Sequence, residues 1–339
     1  MKILVVFTGG TIGSAVNSEG FFAPTEQNAY RLLELYQEVC AKGQIRPLNY
    51  VAENIEFDTV SPYTTLSENL NGWHVEQLVA CLEEHVKEDY AGIIVTHGTD
   101  TLQYTAAALG YAFGNATIPI VLVSSNYILD DKRANGLTNF VGAVEFISQK
   151  AGRGVFVSYC NTGEITKFHR GTRLMAHPVY EDGVFSVGDQ YYASLEDGKI
   201  LPNKTFVERA DETDAVKTGW SEHESGVLWL NPHPGMSYPI LDASVKAVLF
   251  STYHSGTICT DSMQWKSFME EASKKQIPVF LTGAIKEAVY ESTKPLKSLG
   301  MQILPTGAPI AMCVKLAMGI ALGVDLHDLM YKSLGGDIM

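Results

Sequence analysis

At 339 residues the chain is too long for one typical hydrophobic core and suits two domains. A formal net charge of −13, with no long lysine/arginine cluster, argues against a nucleic-acid partner or an anionic membrane surface. Five dispersed cysteines without CxxC pairing argue against a disulfide framework and a metal site, and read as the reduced thiols of a cytoplasmic protein.

In chain order, the apolar run 2–7 predicts a buried strand that ends in Thr8-Gly9-Gly10-Thr11-Ile12-Gly13-Ser14. A polar stretch, 14–25, leads to a predicted helix over 26–41, and a second helix is expected over 68–87. A strand at 92–96 runs through Thr96-His97-Gly98-Thr99-Asp100-Thr101 into a helix over 100–113. Strands at 118–123 and 154–158 enclose a helix over 133–149. Residues 181–225 break this rhythm, and 203–225 reads as an interdomain linker. Strands at 227–230, 246–250 and 277–281 then alternate with helices at 262–274, 285–298 and 308–322. Strands alternating with helices imply βαβ units and an α/β fold with a parallel sheet. The expected domains are 1–202 and 226–339. No signal-peptide pattern precedes the first strand, and no apolar run reaches a membrane span of roughly 18 residues.

In an open parallel sheet, ligands bind beyond the carboxyl ends of the strands. Two of these ends, Thr8–Ser14 and Thr96–Thr101, are glycine-hinged and rich in hydroxyls. The first departs from the dinucleotide fingerprint, because no helix opens directly after its glycines, and it lacks the P-loop lysine. Thr11, directly after Gly9-Gly10, is a candidate nucleophile if a neighbour takes its proton, with backbone N–H groups to stabilise an oxyanion. Asp100 can bind a substrate ammonium or orient a base. Thr99-Asp100 can equally be an N-cap pair for the helix that follows.

The pair "TGGTIG" (8–13) and "HGTDTL" (97–102), about ninety residues apart, resembles the bacterial-type L-asparaginase family. "SENLNGWHVEQL" (67–78), "RGTR" (170–173) and "MCVKLAMGIALG" (312–323) extend the likeness over most of the chain. The resemblance implies a larger N-terminal domain with a mostly parallel sheet and a smaller Rossmann-like C-terminal domain. It implies hydrolysis of a small amino-acid amide, L-asparagine to L-aspartate and ammonia, through an acyl-enzyme and without a cofactor. By resemblance Thr11 is the nucleophile, Thr99 the second active-site threonine, Asp100 the partner of the α-amino group and Ser67 that of the α-carboxylate. Gly10, Gly98 and Glu68 complete the expected substrate contacts. A homodimer or homotetramer is implied, with a neighbouring copy of the chain completing each site.

Three positions depart from the family pattern. The mobile tyrosine after the first motif is replaced by Phe21 or Phe22, and the nearest tyrosine, Tyr30, falls in a predicted helix. The family's lysine, six residues after the arginine of its "RG" pair, falls on Ala176; Lys167 or His177 can substitute. Glu68 stands where a neutral residue is usual and would repel a substrate carboxylate, unless it faces the ammonium or starts a helix. Slow turnover of free asparagine is therefore expected. The same departures leave open an amidase for a different or modified amino acid, or a weakly catalytic amino-acid-binding homologue.

Overall fold

The computed structural model of the chain describes residues 1–43, 55–211, 215–216, 225–284 and 290–339. In chain order its first part holds β1 (Lys2–Phe7), β2 (Ser14–Val16), β3 (Phe22–Pro24), α1 (Glu26–Ala41), β4 (Glu56–Val60), α2 (Gly72–His85), β5 (Gly92–Thr96) and α3 (Leu102–Phe113). It continues with β6 (Pro119–Val123), α4 (Gly136–Ser148), β7 (Gly154–Cys160), β8 (Thr166–Arg170), β9 (Ala193–Glu196) and β10 (Lys199–Pro202). Eight of these strands form one sheet in the order β10-β9-β8-β7-β6-β5-β1-β4. The ladder is parallel from β4 to β7 and antiparallel from β7 to β10. Successive residues of β1 serve opposite faces: Leu4 and Val6 pack with α2 and α3, Ile3 and Val5 with α1 and α4. A strand buried on both sides reads as a continuous apolar run, as β1 does.

A second, smaller sheet is wholly parallel, β11 (Val227–Leu230), β12 (Ala247–Phe250), β13 (Val279–Leu281) and β14 (Met301–Ile303) in that order. The helix α5 (Met263–Lys274) covers one of its faces with Trp265, Phe268 and Met269. A short α6 (Lys294–Ser298) precedes β14. The other face meets α7 (Pro309–Leu322) and α8 (Leu326–Tyr331). The chain is thus a mixed α/β protein with a large mostly parallel sheet and a smaller parallel one, as expected. No helix among the described residues is long and apolar enough to cross a membrane.

Several expectations need correction. The expected helix 285–298 keeps only α6, with 285–289 outside the described residues. Much of the expected linker, 212–214 and 217–224, also lies outside them. The stretch 14–25 is a small antiparallel hairpin, β2–β3. The helix expected from 68 begins at Gly72, where Asn71 and His74 form a capping box; Ser67–Asn69 is a separate short turn. The edge strand β4 escapes a search for apolar runs because Glu56-Phe-Asp-Thr-Val is only half buried. β8, Thr-Lys-Phe-His-Arg, escapes the same search because it holds one apolar residue, although Thr166, Phe168 and His169 are all buried.

The sheet order places the site. From β1 the chain moves to β4 on one side, then returns to β5 on the other. The crevice at such a reversal, beyond the carboxyl ends of the two strands, is where open α/β sheets bind ligands. β1 and β5 carry the two threonine–glycine loops, and Phe7 pairs with Thr96 at their ends.

The two sheets are tied together beneath this edge. Ile310, Val314 and Met318 of α7 enter the core of the large sheet. Lys315 Nζ meets Asp337 Oδ2 at 2.7 Å, both fully buried, and Tyr111 donates to the same oxygen at 3.2 Å. Arg173 Nε and the Thr172 hydroxyl bond the carbonyls of Gly336 and Gly335 at 2.7 and 2.8 Å. The terminal segment therefore clamps the turn just ahead of Ala176.

Candidate active site

The loops after β1 and β5 touch backbone to backbone. Gly10 has φ of 73°, and a Cβ there would lie 2.3 Å from the Gly98 nitrogen. A Cβ on Gly98 would lie 2.4 Å from Ser67 Oγ and 3.1 Å from Gly10 Cα. Only hydrogen fits at both positions, so the two glycines are the contact itself. Polar bonds hold it: Thr8 Oγ1 donates to the Thr96 carbonyl at 2.6 Å, Ser14 Oγ to the Gly10 carbonyl at 2.8 Å, and Gly10 N–H to the Thr65 carbonyl at 2.9 Å. Two of the three hydroxyls in the first loop are therefore structural. No hydrogen bond involves the Thr11 or Thr99 hydroxyl among the described residues.

Ser67 Oγ donates to Asp100 Oδ2 at 3.2 Å, and Thr101 Oγ1 to the Ser67 carbonyl at 2.9 Å. Helix α3 begins at Leu102 with Thr101 at its N-cap and no side-chain cap. Capping therefore does not account for Thr99 or Asp100, which precede the helix. His97 is buried; its Nδ1–H donates to the Gly98 carbonyl and its Nε2 accepts from Thr105, both at 2.8 Å. Burial pushes its pKa down to about 4, so it is a neutral brace for the loop. Gly10, Ser67, Gly98 and Asp100 thus meet, with Thr11 beside Gly10 and Thr99 beside Asp100. Glu68 is exposed on the Ser67–Asn69 turn, and it lines neither of the two cavities that flank the loops.

One cavity, of about 780 Å³, lies on the β5–β7 side. Thr99, Asp100, Ala176 and His177 share its wall with Trp229, Asn231 and Ile310 from the second half of the chain. The other, of about 240 Å³, lies on the β1–β4 side and touches Gly9 and Gly13. Its wall includes Tyr30, whose ring packs on Phe7 at 5.5 Å and whose hydroxyl lies 3.5 Å from Thr59 Oγ1. Tyr30 is in α1, as expected, yet its side chain returns beneath the first motif. Phe21 and Phe22 are mostly exposed at the turn of the hairpin.

The two stand-ins for the missing lysine separate clearly. Lys167 pairs with Glu164 at 2.7 Å, lies 5.1 Å from the Tyr191 ring centre and is absent from the cavity wall. His177 is on that wall next to Ala176. Its Nδ1 bonds the Gly183 carbonyl at 3.2 Å, and its Nε2 is buried without a partner among the described residues. The carbonyl fixes the proton on Nδ1 and leaves Nε2 with a free lone pair. Burial depresses the pKa of His177 more than its attraction to Asp100 and Asp182 raises it, which favours the neutral form. The histidine sits in a loop that Asp182 anchors: Tyr159 donates to it at 2.7 Å, Thr162 at 3.2 Å, and Asn126 closes the same cluster. This anchor was not foreseen, because 181–225 carries no periodic signal; the domain-crossing wall at Trp229 and Ile310 has no local signature either.

The family described as "Asparaginase, N-terminal" matches residues 2–200. The chain belongs to the asparaginase family. Among curated relatives, a glutamyl-tRNA(Gln) amidotransferase subunit of Methanosarcina mazei is 25% identical over 313 residues, 88% of this chain and 69% of the relative. The corresponding amidotransferase subunit of Saccharolobus solfataricus is 25% identical over 359 residues, 99% and 76% of the two chains. Among solved structures, the thermostable L-asparaginase from Thermococcus kodakarensis superposes with a TM-score of 0.78 at 22% identity, covering 100% of this chain and 99% of that one. L-asparaginase I from Vibrio cholerae gives 0.76 at 19% identity, with the same coverage. These superpositions establish the asparaginase fold, and the family is one of amide-hydrolysing enzymes.

Proposed function

We propose that the protein hydrolyses the side-chain amide of a small amino acid, with Thr11 as nucleophile. One observation carries the reading: Gly10 lies against Gly98 at the reversal of the sheet, which sets the Thr11 and Thr99 loops face to face. Asp100 receives the substrate's ammonium, and Ser67 holds that carboxylate and meets the substrate's carboxyl end. Gly10 and Gly98 give close backbone approach. Thr11 Oγ attacks the amide carbon, the C–N bond breaks, and the hydroxyl proton leaves with ammonia. Water then hydrolyses the ester, releasing the acid and restoring Thr11. His177 is the proton carrier that the free Nε2 supports in place of a lysine at 176. The assembly in this reading is a homodimer or homotetramer, which light scattering measures directly.

The curated relatives are amidotransferase subunits, so glutamine belongs beside asparagine as a substrate. A second reading, an amidase for a modified amino acid, is favoured by Ala176 and by the size of the cavity it lines. The test is ammonia release from an amide panel by wild type and Thr11→Ala. The variant loses turnover and keeps its melting temperature, since a lone loop hydroxyl contributes little to folding. More than a few per cent of residual rate removes Thr11 from the nucleophile role.

A further inference from the structure

We propose that Gln103 is a specificity residue of the site: its Oε1 accepts a hydrogen bond from the side-chain amide nitrogen of the substrate, and so favours a primary carboxamide over an ester of the same acid. This rests on the amide-hydrolysis reading and adds the residue that recognises the leaving group.

Gln103 lies in the first turn of α3, and it lines the cavity whose wall Thr99, Ala176 and His177 share. The reacting amide is placed on that side of the loops, and the α-carboxyl end lies away from it, at Ser67. Gln103 is 5% exposed on the chain alone, so its surroundings are set within the chain whatever a neighbouring copy adds. Its Nε2 donates to the Asp100 carbonyl at 3.1 Å. A carbonyl only accepts, so this bond fixes which end of the side-chain amide is the donor. Oε1 is then an acceptor, buried and without a partner among the described residues. A buried acceptor left unpaired is destabilising, and folded proteins rarely keep one without a use.

The other unpartnered acceptor on this wall is His177 Nε2, which takes the proton of Thr11. Gln103 Oε1 is the one left for the substrate. A carboxamide nitrogen carries N–H donors, whereas an ester oxygen has nothing to donate. As Thr11 Oγ adds to the amide carbon, its proton passes to His177 Nε2, and the nitrogen becomes tetrahedral and basic. One N–H held on Gln103 Oε1 turns the nitrogen lone pair toward the Nε2–H of His177. That proton returns to the nitrogen as the C–N bond breaks and ammonia leaves. The bond to Gln103 forms when the substrate fills the site, since catalytic hydrogen bonds are commonly unmade in the free enzyme. The ionised acid product has only acceptors on its carboxylate and loses the contact.

The experiment compares L-asparagine with L-aspartate β-methyl ester, and L-glutamine with L-glutamate γ-methyl ester, following ammonia and methanol release. Amide and ester give the same acyl-enzyme, so kcat/KM isolates the step in which the leaving group departs. Gln103→Met and Gln103→Leu both remove Oε1 with a side chain of similar size, and the pair keeps the result from resting on the folding of one variant. The expected result is a fall of about three- to tenfold in kcat/KM for the better amide, the worth of a neutral hydrogen bond, with the matching ester within about twofold of wild type. KM for the ester, whose α-amine still meets Asp100, stays near wild type. Equal losses on amide and ester, carried by a rise in KM, show that Gln103 acts only through Asp100 and overturn the inference. An amide kcat/KM unchanged in both variants overturns it too. Either result leaves amide hydrolysis standing while Thr11→Ala is inactive. Ammonia release that persists in Thr11→Ala, or is absent from both amides with the wild type, overturns both.

Discussion

Gly98→Ala tests the loop contact on which the site is built. The new methyl carbon would sit 2.4 Å from Ser67 Oγ, 2.5 Å from Ser67 Cβ and 3.1 Å from Gly10 Cα. The φ of Gly98 lies outside the left-handed region, so the cost is steric. Ser67 Oγ can rotate away, but its Cβ cannot, so the Ser67–Asn69 turn or the first loop must move. Overpacking of this kind costs about 1–3 kcal/mol. At roughly 2–4 °C per kcal/mol for a domain of this size, the melting temperature falls by a few degrees to about 10 °C. The rate suffers more. The displacement parts Ser67 from Asp100, and a shift of about 1 Å at reacting groups costs on the order of 100-fold. Gly13→Ala is the control, since a methyl there meets nothing within 4 Å. Thermal melts and ammonia release on both variants make the measurement. Gly98→Ala with wild-type melting and more than half the wild-type rate would refute the glycine contact.

Asp100→Asn raises KM for any substrate with a free α-amine by about tenfold or more, the worth of a charge-assisted bond of roughly 1.5–3 kcal/mol; an unchanged KM removes Asp100 from that role. His177→Ala lowers kcat by about 10²–10⁴-fold with little change in KM, while Lys167→Ala, which breaks a pair with Glu164 and a contact with the Tyr191 ring away from the cavity wall, stays near wild type. Ala176→Lys restores rate in the His177→Ala background, and equal losses in the two single variants would sink the assignment. Burial holds His169 near pKa 3 and His97 near 4, below the unfolded value of about 6.5. The unfolded chain therefore takes protons first, and the stability these groups carry above pH 6.5 is lost as pH falls. His169→Gln should make the decline in unfolding free energy from urea melts between pH 6.5 and 5 shallower by roughly 1 kcal/mol per pH unit, and an unchanged slope counts against a neutral buried His169.

Both loops are legible in the sequence for one physical reason. β1 and β5 are buried on both faces, so each reads as an unbroken apolar run that stops where glycines and hydroxyls begin. Their adjacency is not legible, because it depends on β4 crossing to the far side of β1, and Glu56–Val60 carries an edge strand's mixed pattern. Ser67 is found by motif, but the helix expected from Glu68 starts four residues later, after the Asn71 cap. The wall beyond Asp100 is the least legible part. Asp182, Trp229 and Ile310 come from three distant segments, and no local period announces that folding will bring them to one cavity.

The same geometry explains how the loop pair stays intact with alanine at 176. Gly10, Gly98, Ser67 and Asp100 hold one another through backbone contact and hydrogen bonds that involve no residue beyond 101. His177, the proposed proton carrier, belongs to a different unit, the loop 174–186, closed by the bond from Met175 N–H to the Phe185 carbonyl and anchored by Asp182. A change at 176 or 177 therefore leaves the loop pair undisturbed and alters only what reaches it. In the proposed reading, the rate recovered by Ala176→Lys should therefore come with little change in KM, because Asp100 and Ser67 lie on the undisturbed loop pair.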